Sequence, residues 1–181
     1  MESNFKFLKT DSETVELYRM ISEAEEYYCK GDYKMTLVKV KKVAENTAIL
    51  IADKEELTLQ EKSTFEEVLR GIRSLISNPK IVNDFYEIER EVKTSTNTKS
   101  NALKALNIIF EILVWVMLTY INQKIKKSAI GEFLEPQLEQ DYSPLERKII
   151  YVQTVNNESG QFSVYEGAQK IGDATISSSD I

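Results

Sequence analysis

Between Ala102 and Lys126 the chain carries its most apolar stretch, including Leu106, Ile108, Ile109, Phe110, Ile112, Leu113, Val114, Trp115, Val116, Met117 and Leu118. A helix apolar nearly all round either crosses a bilayer or forms the centre of a bundle. Asn107 and Glu111 interrupt this run, and Tyr120, Asn122 and Gln123 close it. A charge at a bilayer centre costs about 2.5–3.5 kcal/mol on insertion scales, so the bundle reading is preferred and no membrane is expected. The rest of the chain must then supply helices that each turn one apolar face to this one.

Four segments upstream meet that requirement. Thr10-Asp11-Ser12-Glu13 has the capping-box pattern, and Leu17, Ile21, Ala24 and Tyr28 follow at helical spacing. Gly31-Asp32 breaks that helix. A second, over about 33–52, aligns Leu37, Val40, Ala44, Thr47 and Ile51, and so short a break predicts an antiparallel hairpin. After a polar connection, Ser63 or Thr64 with Glu66 or Glu67 caps a third helix bearing Phe65, Val68, Leu69, Ile72, Leu75 and Ile76. Ser77-Asn78-Pro79 ends it. A fourth, about 80–92, buries Ile81, Val82, Phe85 and Ile88, and the polar run 93–101 reads as an exposed loop. The expected fold class is mainly α, a five-helix bundle over residues 1–130.

The charge changes beyond that bundle. Residues 1–130 hold 20 Lys plus Arg against 20 Asp plus Glu, whereas 131–181 hold 3 against 9. Residues 131–148 read as an acidic linker with one short helix, started by Ser143-Pro144-Leu145-Glu146. Ile149–Val155 and Gln161–Tyr165 are strand-like and flank the turn chemistry of Asn156–Gly160. They predict a small C-terminal β-hairpin appendage, or the start of a truncated second domain, over 149–181. The pattern 176–181 looks like a frayed or truncated end.

The composition limits chemistry sharply. There is no histidine, so triads, Cys-His pairs, His-ligated zinc and His-dependent ribonucleases are excluded. One cysteine, Cys29, makes neither an intrachain disulfide nor a thiolate cage. No glycine lies in a phosphate-loop pattern, no cofactor is implied, and the start of the chain lacks a signal-peptide pattern, so a cytoplasmic location is expected. Glu87 and Glu91 share a helical face at i, i+4 spacing, but a carboxylate metal site needs ligands from further helices. Glu111 is expected to pair with a lysine or a backbone amide. Lys39 and Lys42 share a face that Lys41 does not, and Lys124, Lys126 and Lys127 suit a helix C-terminus. Tyr27, Tyr28 and Tyr33 cluster around the first helical turn-around, as core or interface.

Three stretches together resemble one family. Ser3-Asn4-Phe5-Lys6-Phe7-Leu8 resembles its lead segment, Leu37-Val38-Lys39-Val40-Lys41-Lys42-Val43-Ala44-Glu45 its Leu-x-Lys-x-Arg-x-x-Ala-Glu helix, and Phe110-Glu111-Ile112-Leu113-Val114-Trp115 its Phe-Glu-x-x-x-Trp helix. The family is a bacterial helical domain of unknown function, found at the N-terminus of type I restriction endonuclease R subunits and in other phage-defence proteins. It is grouped with the HEPN-like domains, whose active members are ribonucleases using an arginine followed a few residues later by a histidine. The resemblance covers about residues 3–123. It places Arg90 at the family arginine and Ser95, Thr96 and Asn97 where the imidazole should fall, and none of these exchanges a proton at neutral pH. Lys41 stands where the family has arginine, which is not equivalent at a bidentate contact.

The resemblance therefore implies a non-catalytic interaction or regulatory module of a restriction or phage-defence system. Partners would be a second copy, by the family's habit of pairing through its helices, or another protein. Nucleic acid is a further candidate partner, held by Lys39, Lys42 and Arg90. One alternative is a divergent metal-dependent nuclease using Arg90, Glu87 and Glu91. Another is an antitoxin-like or assembly subunit.

Overall fold

The computed structural model describes residues 3–60, 62–93 and 96–138, together with the backbone of 150–156, 161–166 and 169–175. It divides into two compact units, Met1–Leu138 and Glu139–Ile181.

The first unit is helical. A 3-10 turn, Lys6–Thr10, leads into α1 (Val15–Cys29), α2 (Tyr33–Lys54), α3 (Phe65–Ile72), α4 (Pro79–Lys93) and α5 (Lys99–Val116). A π turn, Met117–Ile121, extends α5, and a single turn, α6 (Lys127–Ile130), follows. This makes six helices among the described residues where the sequence predicts five. The apolar stretch behaves as a bundle centre. α5 packs on α1, α2 and α4, and Ala102, Ala105, Leu106, Ile109, Ile112 and Leu113 are wholly buried. By length and hydropathy Lys99–Ile121 passes for a membrane span, but 56% of its apolar window is inside the protein and partner helices account for its composition.

The predicted stripes point inward. Leu17, Ile21, Ala24 and Tyr28 of α1 are buried, as are Leu37, Val40, Ala44, Thr47 and Ile51 of α2. Gly31 turns the chain between them at φ 77°, a left-handed conformation that only glycine adopts at little cost. Asp32 then accepts a hydrogen bond from the Met35 amide at 2.9 Å and caps α2. A Cβ at Gly31 would meet nothing within 4 Å, so Gly31→Ala is expected to cost only the backbone strain, about 1–2 kcal/mol, read as a lower urea midpoint at unchanged slope.

Several boundaries differ from expectation. The Thr10 hydroxyl donates to the Phe7 carbonyl at 2.8 Å, so it caps no helix, and Glu13 uses its amide on Asp11. The lead segment's own apolar residues cause this: Phe5, Phe7 and Leu8 bury themselves and tighten the chain into the 3-10 turn, delaying α1 to Val15. Of the alternatives for α3, Thr64 with Glu67 forms the reciprocal box. That helix ends at Ile72, leaving Leu75 41% exposed outside the register. The loop after α4 is shorter than its polarity suggests, because Thr98 accepts from the Asn101 amide and starts α5 at Lys99.

The first unit also runs past residue 130. Phe133 packs on Phe110, Pro136 is buried, and 131–138 belong to the helical body instead of to a linker. The short helix expected from Ser143 lies outside the described residues, as do the turn 157–160 and the end 176–181. In the second unit the backbone forms three antiparallel strands in the order β1 (Ile150–Asn156), β2 (Gln161–Glu166), β3 (Gln169–Thr175). In the backbone register Tyr151 pairs with Tyr165 and Phe162 with Ala174. The third strand, Gln-Lys-Ile-Gly-Asp-Ala-Thr, was not expected, because its glycine and aspartate are poor strand formers.

Candidate functional site

The residues singled out at the end of α4 meet the start of α5, and the meeting is electrostatic. Glu87 and Glu91 lie one turn apart on α4, and Lys104 of α5 enters between them. Its Nζ lies 2.6 Å from Glu87 Oε1 and 2.9 Å from Glu91 Oε1. Asn101, one turn earlier on α5, donates from Nδ2 to the other Glu91 oxygen at 2.6 Å. Arg90 Nη2 lies 3.2 Å from Glu87 Oε1. Glu91 is buried, with 7% of its surface exposed, whereas the Arg90 side chain is 71% exposed.

Four charges, two of each sign, thus neutralise one another at this junction. The Lys104 hydrogen bond, then that from Asn101, holds the Glu91 carboxyl below the ordinary carboxylate range. Lys104 does the same for Glu87. In return the Glu87 and Glu91 hydrogen bonds push the ammonium up. A carboxylate made less basic in this way is a poor general base at neutral pH. An ammonium wedged between two carboxylates also repels any cation they would otherwise ligate. Among the described residues no cluster of three or more Asp, Glu or Cys is arranged to hold a metal ion.

The other predicted residues do not join this cluster. Thr96 and Asn97 are exposed in the connection, and Ser95 lies outside the described residues. Lys39 reaches across to α1, with its Nζ 2.5 Å from Glu23 Oε2 and over the Tyr27 ring. That contact lowers the Glu23 carboxyl and raises the Lys39 ammonium. Lys42 stays on its own helix, 3.9 Å from Glu45, which also faces Lys41 at that distance. Lys39, Lys42 and Arg90 are therefore set against three different carboxylates and do not form one basic patch. Glu111 pairs with Lys127 at 3.1 Å. That lysine opens α6 instead of closing α5, which has already ended.

Sequence reasoning missed Lys104 and Asn101. Both sit in the polar run or early turns before the apolar centre of α5, and their contacts depend on how α4 and α5 pack, a long-range fact with no local signature. The fold and this junction define a helical bundle in which the polar contact between α4 and α5 is self-neutralised. Comparison with family models, curated proteins and solved structures finds no match for the chain.

Proposed function

We propose that the chain is a non-catalytic helical interaction module of a restriction or phage-defence system, cytoplasmic, with its C-terminal residues 149–181 as a β appendage. The observation that carries the non-catalytic part is the Lys104 bridge. The two carboxylates that a metal-dependent nuclease would need beside Arg90 are already occupied by an ammonium and an amide of the same chain. The defence setting rests on the family resemblance of residues 3–123.

Within that reading a protein partner is favoured over nucleic acid. An electroneutral body exerts no general pull on phosphates, and Lys39, Lys42 and Arg90 are each set against a carboxylate. Incubation of the full chain with labelled RNA and DNA, with and without magnesium or manganese, is expected to leave both substrates intact. Cleavage that disappears in Arg90→Ala would establish the nuclease instead. Binding that weakens steeply with added salt, and further in Lys42→Ala or Arg90→Ala, would show that the partner is nucleic acid.

A further inference from the structure

Residues 131–138 form no helix or strand, yet they are held by specific contacts. Asn4 reads the main chain of Leu134 on both sides, donating from Nδ2 to its carbonyl at 2.9 Å and accepting from its amide at Oδ1 at 2.8 Å. The same Nδ2 donates at 2.8 Å to Glu25, a buried carboxylate that also takes hydrogen bonds from the Asn4 amide and the Ser3 hydroxyl. The reading amide is thus held on Glu25 by contacts that do not involve the strap. Phe133 lies against Phe110 with ring centroids 5.6 Å apart. Glu135 accepts from the Tyr28 hydroxyl at 3.0 Å and pairs with Lys99 at 2.8 Å, and Pro136 is buried.

Each of these contacts is of the kind by which a groove recognises an extended peptide: an amide pairing with a backbone unit, an aromatic seat, a cation and a phenol for one acid, and a buried proline. The strap's outward face stays in water, with Leu134 71% exposed. It is approached through Gly131 at φ 90°, with nothing within 4 Å of where a Cβ would stand. The stretch from Gln123 to Glu132 is mostly exposed. A segment held by side-chain readers and joined through an unpacked glycine has the design of an exchangeable arm, since the same contacts form equally well with an identical segment from another copy.

We infer that the groove formed by Asn4, Glu25, Tyr28, Lys99 and Phe110 is a peptide-recognition site whose partner in trans is the Phe133-Leu134-Glu135-Pro136 strap of a second copy of this chain. In the single chain the tethered strap competes at an effective concentration of about 1 mM, so the wild type stays closed well below that. This site shares no residue with the Arg90 junction. It stands or falls independently of whether nucleic acid is bound or cleaved there.

Charge reversal tests it. Glu135→Lys spoils the strap for its own groove, and Lys99→Glu spoils the groove for its own strap. Both positions are about half exposed, and far-UV circular dichroism verifies that each full-length variant keeps its helices. At about 0.2 mM, below the effective concentration of a tethered segment, each variant alone is expected to scatter light as a monomer. The equimolar mixture pairs matched charges in both grooves and is expected to show twice that mass. The double variant, with both reversals in one chain, is expected to be monomeric again, and Asn4→Ala in both partners is expected to abolish the mixed dimer. A mixture that stays at the monomer mass overturns the inference. So do dimers formed equally by either variant alone, which would reveal a different interface.

Discussion

Phe110→Ala is expected to destabilise the first unit by about 3–5 kcal/mol, the range for removing a buried aromatic side chain and leaving a cavity. The ring is 1% exposed and sits where three chain segments meet. Phe5 and Phe7 pack on it in T-shaped arrangements with centroids 5.7 and 5.8 Å away, and Phe133 of the strap lies at 5.6 Å. These rings come from residues far apart in sequence, so a void at 110 cannot close by adjusting one neighbour. Domains of this size are stable by about 5–15 kcal/mol, and the loss would therefore be a large share of the whole. Urea unfolding followed by circular dichroism should show a much lower midpoint at unchanged slope. Hydrogen exchange should speed up at residues 3–8 and 131–136 before the helices open, because Phe110 is what both segments rest on. Phe110→Leu, which keeps most of the volume, should cost under about 1.5 kcal/mol. A loss below about 1 kcal/mol for the alanine variant would show that the three rings are not packed on one centre.

The same residue shows which parts of the architecture were legible beforehand. The stripes of α1, α2 and α4 could be read because helical periodicity is local: one turn of sequence decides which side chains share a face. The burial of α5 followed from its having too few polar residues to face water on any side. The 3-10 turn could not be read the same way. Thr10 and Glu13 are spaced as a capping box, and that local preference is overridden because Phe5 and Phe7, docked on Phe110, and the buried Leu8 gain more by leaving water than the box would provide. Leu75 failed for a related reason, since α3 stops before the pattern does.

The strap and the Lys104 bridge were illegible for a different reason. Residues 131–138 have no period, and their polar, acidic composition matches that of a linker. What fixes them is the pairing of Leu134 with Asn4 and of Glu135 with Tyr28, across most of the length of the unit. Glu87 and Glu91 were visible as a pair of carboxylates on one face. Which cation they would meet depended on the packing of α4 against α5, and a different helix rotation would have turned another residue toward them. Residue types and local spacing revealed what chemistry the Arg90 region lacks. Only the packing revealed what neutralises the acids that remain.

Lys104→Met is the direct probe of that neutralisation. The methionine keeps the aliphatic length of the side chain and removes the ammonium, leaving the buried Glu91 without its lysine partner and with Glu87 as a like-charged neighbour. The expected loss at neutral pH is about 1–2 kcal/mol. This is below the roughly 3–5 kcal/mol of breaking a fully buried pair, because the Lys104 side chain is 48% exposed and water screens it. The sign of the pH dependence follows from the shifts. Glu87 and Glu91 titrate in the folded chain below their ordinary 4.5, so their contribution is present above that value and is lost as pH falls through the lowered folded values. Lys104 titrates above its ordinary 10.5, so its contribution is present below that value and is lost as pH rises through the raised one. The gap between wild type and Lys104→Met should be widest on the plateau between these limits and should shrink toward both. Glu87→Gln, which leaves Lys104 on Glu91, should cost less than Lys104→Met. If instead the two variants cost the same, or the Lys104→Met gap stays constant down into the acid range, then the two acids are neutralised by something other than the Lys104 ammonium.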